Sequence, residues 1–171
     1  PDPQAELQEV GFQEYFVALR HEVPIAGLRF EGAEASTPAS GVLPALAEAS
    51  TIVIAPSNPL VSLGPLWAVP GLAEAVKARR PNVVAVSPIV DGAALKGPAA
   101  RMLTELGHEA SVVGVANLYK DLASVLVIDH ADSHLAPQIE AAGMRCVVTD
   151  TIMSSPEVSA ALASTVLRCS A

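Results

Sequence analysis

The sequence predicts an α/β fold built on a mostly parallel sheet with helices on both faces. Three observations lead there. Short apolar runs rich in β-branched residues alternate with longer segments at helical spacing, which is the βαβ pattern. Four of the runs are almost continuously apolar, as parallel strands covered on both faces must be. The helical segments between them begin and end on Pro, Ser and Gly.

The strands expected from these runs are Gly27 to Phe30, Thr51 to Ile54, Asn82 to Val86, Val125 to Ile128 and Arg145 to Val148. Between them, Pro70 opens a helix whose Leu72, Ala75, Val76 and Arg79 share one side before Pro81 stops it. Pro98 opens another, with Ala99, Met102, Leu103 and Leu106 as an apolar stripe and Gly107 as C-cap. Ser111 caps a third, carrying Val112, Val115, Ala116, Tyr119 and Leu122. Leu135, Ile139 and Ala142 mark a fourth that ends at Gly143, and Ser155-Pro156 starts a last one with Val158, Ala161, Leu162 and Thr165. Nearer the start, 42–49 reads as helix after a loop over 31–41. Phe12, Tyr15, Phe16 and Leu19 stand at helical spacing and form a face that needs cover.

A chain of 171 residues suits one compact domain. Its 51% hydrophobic and 16% charged content excludes a disordered chain. With 18 acidic against 10 basic residues the formal charge is -8, which disfavours nucleic acid and anionic membranes as partners. No apolar run approaches the roughly 20 residues that span a bilayer, and no basic-then-apolar leader is visible. Cys146 and Cys169 match neither a metal-ligand spacing nor a disulfide framework, so a reducing cytoplasm is expected, with Cys146 as core filler. The sequence opens on Pro1 rather than Met, which points to a processed, trimmed or incomplete chain.

In an open parallel sheet, ligands bind beyond the carboxyl ends of the strands. Four polar loops fall there: 55–65, 87–98, 129–134 and 149–154. In the first, Ser57, Asn58 and Ser62 offer hydroxyl and amide groups to an anion such as phosphate. The same residues can serve only to cap the following helix while the prolines stiffen the turn. Lys96, before Gly97 and Pro98, can reach a phosphate as a point charge or be an exposed lysine. The cluster Asp129, His130, Asp132 and His134 holds ligand-type side chains, but neighbouring residues on a turning loop diverge and no zinc spacing is matched. Helix capping is the better reading there. Asp150 can orient a substrate hydroxyl or cap a turn. Neither a G-x-G-x-x-G nor a Walker A sequence is present, nor a G-x-S-x-G elbow.

Three motifs, in order and spacing, carry a resemblance. Pro56-Ser57-Asn58-Pro59-Leu60-Val61-Ser62-Leu63-Gly64-Pro65, then Val86-Ser87-Pro88-Ile89-Val90 with Leu95-Lys96-Gly97-Pro98, and Thr149-Asp150-Thr151-Ile152-Met153 resemble the 2-phospho-L-lactate / phosphoenolpyruvate transferase family (CofD/FbiA) of coenzyme F-420 biosynthesis, over about Phe12 to Leu167. The resemblance implies a Rossmann-like α/β fold. It implies transfer of a phospholactyl or phosphoenolpyruvyl group from a guanosine-diphosphate-linked donor to the deazaflavin Fo, with GMP released and magnesium on the diphosphate. It places Ser57, Asn58, Pro59 and Ser62, and with them Lys96 and Gly97, in the substrate-binding region, leaves the catalytic residues unassigned, and suggests a homodimer. Residues 1–171 would then be the C-terminal part of one transferase domain. The family's N-terminal part, with its glycine-rich loop and metal-binding aspartates, has no counterpart here, so no metal ligand is expected in this chain. An Ala-rich, Lys-poor composition leans toward the phosphoenolpyruvyl donor. The alternative is a non-catalytic nucleotide-sugar-binding regulator of the gluconeogenesis-factor type.

Overall fold

A computed structural model of the chain describes residues 7–94 and 98–169. After a π-helical turn at Glu14–Ala18, the elements run α1 (Val42–Glu48), β1 (Ile52–Ile54), α2 (Gly64–Ala68), α3 (Leu72–Ala78), β2 (Val83–Val86), β3 (Ile89–Val90), β4 (Ala93–Ala94), α4 (Ala99–Glu105), α5 (Val112–Tyr119), β5 (Val125–Ile128), α6 (Ala136–Ala141), β6 (Arg145–Val148) and α7 (Pro156–Cys169). The main sheet has the order β1-β2-β5-β6 and is parallel throughout, with Ile52 beside Val83, Val84 beside Val125 and Val125 beside Arg145. All four strands therefore end on the same edge, and the loops that follow them are brought together there. This is the α/β, Rossmann-like arrangement that the sequence predicts.

Because strand order follows sequence order, every crossover turns the same way, and the right-handed rule puts the connecting helices on one face. The strands' two-residue period then sorts the core. Ile52, Ile54, Val83, Ala85, Leu126 and Ile128 pack against Val76 of α3, Leu103 of α4, Val112, Val115 and Tyr119 of α5 and Ile139 of α6. The alternate residues Val84, Val86, Val125 and Val127 point the other way and meet Leu162, Val166 and Cys169 of α7. Each buried Val, Leu or Ile among them contributes about 1.5–3 kcal/mol, which is why helices cover both faces. The two edge strands depart from this: Val53 of β1 on the α7 side is 44% exposed, and Arg145 of β6, in register with Val125, is exposed.

The predicted helix boundaries hold for physical reasons that can be named. Ser111 Oγ accepts from the Val113 and Gly114 amides at 3.1 Å each and so caps α5. Gly107 and Gly143, at φ 80 and 92, end α4 and α6 in the left-handed conformation that glycine adopts without strain. At the sheet's amino-terminal edge, arginines satisfy backbone carbonyls. Arg80 donates to Lys120 O and Gly143 O at 2.6 Å each, past the ends of α5 and α6. Arg79 reaches Ala49 O at 2.6 Å and also Ala47 O, and Arg145 holds Cys169 O.

Two expectations fail. Gly27 to Phe30 is not a strand: it pairs with no other segment, and its Arg29 is drawn outward to Glu9 and Glu31. β-Propensity without a ladder partner does not make a strand. The 87–98 loop, in turn, contains the small antiparallel hairpin β3–β4, with Ile89 opposite Ala94. In the Phe12 to Leu19 stretch Tyr15 is buried, whereas the stacked rings of Phe12 and Phe16 remain exposed. Among the described residues no helix is long and apolar enough to cross a membrane.

Candidate functional site

The loops at the carboxyl ends of β1, β2, β5 and β6 form the candidate site. Opposite in chemistry to the arginine-laced edge, this one is organised by side-chain oxygens that accept backbone N–H groups.

The loop after β1 is organised by Asn58. Its Oδ1 accepts from the Leu60 amide at 2.9 Å and the Val61 amide at 3.3 Å, and its Nδ2 donates to Met102 Sδ at 3.5 Å. Its backbone carbonyl accepts from the Ser62 and Leu63 amides at 3.1 and 3.2 Å. Asn58 thus shapes a tight turn and ties it to α4. Pro59 is buried, Ser57 is half-buried and Ser62 is exposed. Four of the sequence-derived site residues therefore share one turn, two of them with hydroxyl groups that can serve phosphoryl or sugar oxygens. Lys96 and Gly97 lie outside the described residues.

After β2, buried Ser87 continues the sheet, its amide donating to Val127 O at 2.9 Å. Its Oγ accepts from the Ile89 amide at 3.1 Å and donates to Ile89 O at 3.0 Å, bending the chain into β3. Asp91 and Gly92 form the hairpin tip with φ 51 and 67, the left-handed pair that a two-residue turn of this hand requires.

Two aspartates that local sequence reads as simple helix caps do more. Asp129 Oδ1 accepts from the Ala131 amide at 3.2 Å, which is the cap. Its Oδ2 also accepts from Thr151, from the amide at 2.9 Å and from the hydroxyl at 3.1 Å, binding the β5 loop to the β6 loop. Burial pushes the Asp129 pKa up, but the Thr151 and Ala131 hydrogen bonds, helped by the charge of His130, outweigh it and hold the carboxyl below its ordinary value. Asp132, only 3% exposed, accepts from the Asp91 amide at 3.0 Å and fastens the hairpin tip to the β5 loop. These long-range roles of Asp129, Asp132 and Thr151 are what sequence reading missed. The only local hint was their clustering at strand ends.

The same bonds bear on metal binding. Both aspartates are committed to backbone donors, His130 and His134 are exposed, and among the described residues no group of three or more His, Cys, Asp or Glu could hold a metal ion. Asp150 is exposed beside Thr149, whose amide donates to Ile128 O at 3.1 Å. Cys146 is a half-buried thiol whose pKa burial and the nearby Glu140 push up to about 11, which suits core filler rather than a nucleophile.

Comparison with known proteins places these loops in context. The family model described as 2-phospho-L-lactate transferase CofD matches residues 4–166. A phosphoenolpyruvate transferase of Kitasatospora aureofaciens is 43% identical over 159 residues, covering 92% of this chain and 50% of the relative. A second phosphoenolpyruvate transferase, from Streptomyces griseus, is 39% identical over 159 residues with the same coverage. A 2-phospho-L-lactate transferase of Methanococcoides burtonii is 38% identical over 151 residues, covering 88% of this chain and 48% of the relative. The chain spans about half the length of the curated relatives it matches.

Proposed function

The chain belongs to the 2-phospho-L-lactate transferase CofD family, and from that premise we propose that it forms the carboxyl-terminal half of an enzyme that transfers a phosphoenolpyruvyl group from a guanosine-diphosphate-linked donor to the deazaflavin Fo, releasing GMP in coenzyme F-420 biosynthesis. The observation that carries this reading is the match over residues 4–166, which spans all four strand-end loops, together with the Asn58-centred turn at the end of β1.

The chemistry asked of this half is positional. Phosphoryl transfer depends on holding nucleophile and diphosphate in line. A turn with Ser57 and Ser62 hydroxyls, set by Asn58, is suited to hydrogen-bond the donor's oxygens. The buried Asp129 and Asp132 keep the neighbouring loops at fixed spacing, so that little reorganisation is needed on binding. Lys96 and Gly97 belong to the same proposed substrate region by their motif. We assign the magnesium ligands, with a glycine-rich phosphate loop, to the family's amino-terminal half. The exposed Val53 on β1 is compatible with that half packing there. The phosphoenolpyruvyl donor is taken as the reading on a small margin of identity, 38–43% with phosphoenolpyruvate transferases against 35–38% with 2-phospho-L-lactate transferases. A homodimer in the cytoplasm completes the reading.

The test is donor competition in the full-length enzyme. Given Fo, magnesium and both guanylylated donors in equal amounts, it should make the phosphoenolpyruvyl phosphodiester in excess. Excess phospholactyl product would overturn the donor assignment, and ligand binding with no product from either donor would overturn the transferase reading in favour of a regulator.

A further inference from the structure

Ahead of the sheet, residues 11–25 form a knuckle bonded mostly to itself. The amides of Tyr15, Leu19, His21 and Glu22 donate to the carbonyls of Gly11, Glu14, Tyr15 and Leu19 at 2.8–3.0 Å. The Phe16 ring stacks on Phe12 and leans on His21, with centroids 5.4 and 5.1 Å away. Among the described residues before Ile52, Tyr15 alone is buried. The hydrogen bonds that fasten the knuckle to the body end on two residues of α4. Arg101 donates to the Tyr15 hydroxyl at 2.9 Å, to Val23 O at 3.4 Å and to His21 O, and Glu105 accepts from the Ile25 amide at 3.0 Å. One helical turn apart, Arg101 and Glu105 are themselves paired at 3.0 Å.

The bend in the knuckle is strained. Arg20 and His21 stand at φ 49 and 47, in the left-handed region that is costly for any residue with a Cβ. A unit with many internal bonds, one buried side chain and strain at its bend opens more easily than the sheet unfolds.

What the knuckle covers follows from the faces of α4. Ala99 and Leu103 belong to the sheet's apolar cluster. At roughly 100° per residue, Arg101 and Glu105 point away from that cluster toward the knuckle, and Met102 falls on the flank between. Met102 is 0% exposed yet belongs to neither of the sheet's two clusters, and its Sδ accepts from Asn58 Nδ2 at 3.5 Å. We propose that the 11–25 knuckle is a strap that docks on α4 and leaves it as a unit, with Arg101 and Glu105 as its latch, and that the docked strap closes over Met102 and through this thioether steadies the Asn58 turn. Only the consequence for catalysis rests on the donor-positioning role proposed for that turn. The docking equilibrium stands apart from it.

Methionine oxidation reads the strap directly. Met153 is 55% exposed and Met144 is 2% exposed within the sheet's cluster, so the two bracket Met102 on an internal scale. In the full-length protein, brief hydrogen peroxide treatment followed by peptide-resolved mass spectrometry should oxidise Met153 fast, Met144 slowest and Met102 at a rate between them. Arg101→Leu, which removes the latch, should speed Met102 oxidation about tenfold and leave Met144 at its wild-type rate. Arg20→Gly, which relieves the left-handed bend, should slow Met102 severalfold. Without peroxide, deuterium exchange at the Leu60 and Val61 amides, which Asn58 Oδ1 accepts, should be faster in Arg101→Leu than in wild type. If Arg101→Leu exposes Met144 as well, its fold is lost, and the opposite-signed effect of Arg20→Gly decides alone. Met102 oxidising in step with Met144 in every variant, or at an unchanged rate in both, would overturn the strap. Faster Met102 oxidation with unchanged exchange at Leu60 and Val61 would overturn its link to the turn.

Discussion

Removing the Asp129 carboxylate should loosen the strand-end edge measurably. In the wild-type chain it accepts from the Thr151 amide at 2.9 Å, the Thr151 hydroxyl at 3.1 Å and the Ala131 amide at 3.2 Å, and both Asp129 and Thr151 are buried. A hydrogen bond to a charged group contributes about 1.5–3 kcal/mol, but three sharing one carboxylate are not additive, so Asp129→Ala should cost about 3 kcal/mol. In a domain of this size that lowers the melting temperature by roughly 6–12 °C. Asp129→Asn keeps one acceptor oxygen and the shape, and should cost less. The pH dependence follows from the depressed pKa. The folded-state value lies below the unfolded one, so the carboxylate's contribution is complete above the unfolded value and is lost as pH falls through the folded value. The stability gap between wild type and Asp129→Asn should therefore be widest near neutrality and narrow on the acid side. Urea unfolding from neutral pH downward measures it. An Asp129→Ala variant within about 0.5 kcal/mol of wild type, or a gap that stays constant with falling pH, would refute the assigned role.

Gly114→Ala should be among the most damaging single-methyl changes in the chain, costing at least about 3 kcal/mol, because the new Cβ would lie 1.9 Å from the Glu109 carbonyl oxygen and backbone must move. Thermal denaturation checks it, and a normal melting temperature would show that the 109–114 turn relaxes freely. In the full-length enzyme Asn58→Ala should weaken donor binding or turnover roughly tenfold to a hundredfold. Asn58→Asp, which keeps the oxygen that accepts from Leu60 and Val61, should recover most of the loss in the same kinetic assay. Replacing His130 and His134 together by alanine should leave the magnesium dependence of turnover unchanged, since both are exposed side chains on a loop that aspartates already hold. A titration showing a large rise in the magnesium requirement would contradict that.

What could be read from the sequence was what is set locally. Val125 to Ile128 is a strand by composition alone, Ser111 caps its helix from one position away, and Gly107 and Gly143 stop theirs because few other residues tolerate that conformation. Gly27 to Phe30 carries similar local cues and fails, since a strand also needs a neighbour that only the tertiary fold supplies. The β3–β4 hairpin was not read from the sequence: Asp91-Gly92 is a turn pair of recognised type, but strands of two residues each leave no alternation to detect. At the site the Ser57-Asn58-Pro59 loop was legible as a motif. Its internal bonding was not, and what the structure shows of Asn58 is the turn-shaping role, its Oδ1 accepting from the Leu60 and Val61 amides. The bonds from Asp129 to Thr151 and from Asp132 to Asp91 span 22 and 41 residues, beyond the reach of any local pattern.

The central claim is that this chain supplies the donor-positioning half of a phosphoryl-group transferase. The most direct measurement is turnover by the purified 171-residue chain with Fo, magnesium and guanylylated phosphoenolpyruvate, alone and then with the family's amino-terminal half added as a separate chain or fused ahead of it. Phosphoryl transfer requires nucleophile and diphosphate to be held together, so the chain alone should form no phosphodiester, and the reconstituted protein should release GMP in step with product. Full turnover by the chain alone, or a reconstituted protein that binds the donor without releasing GMP, would contradict the account.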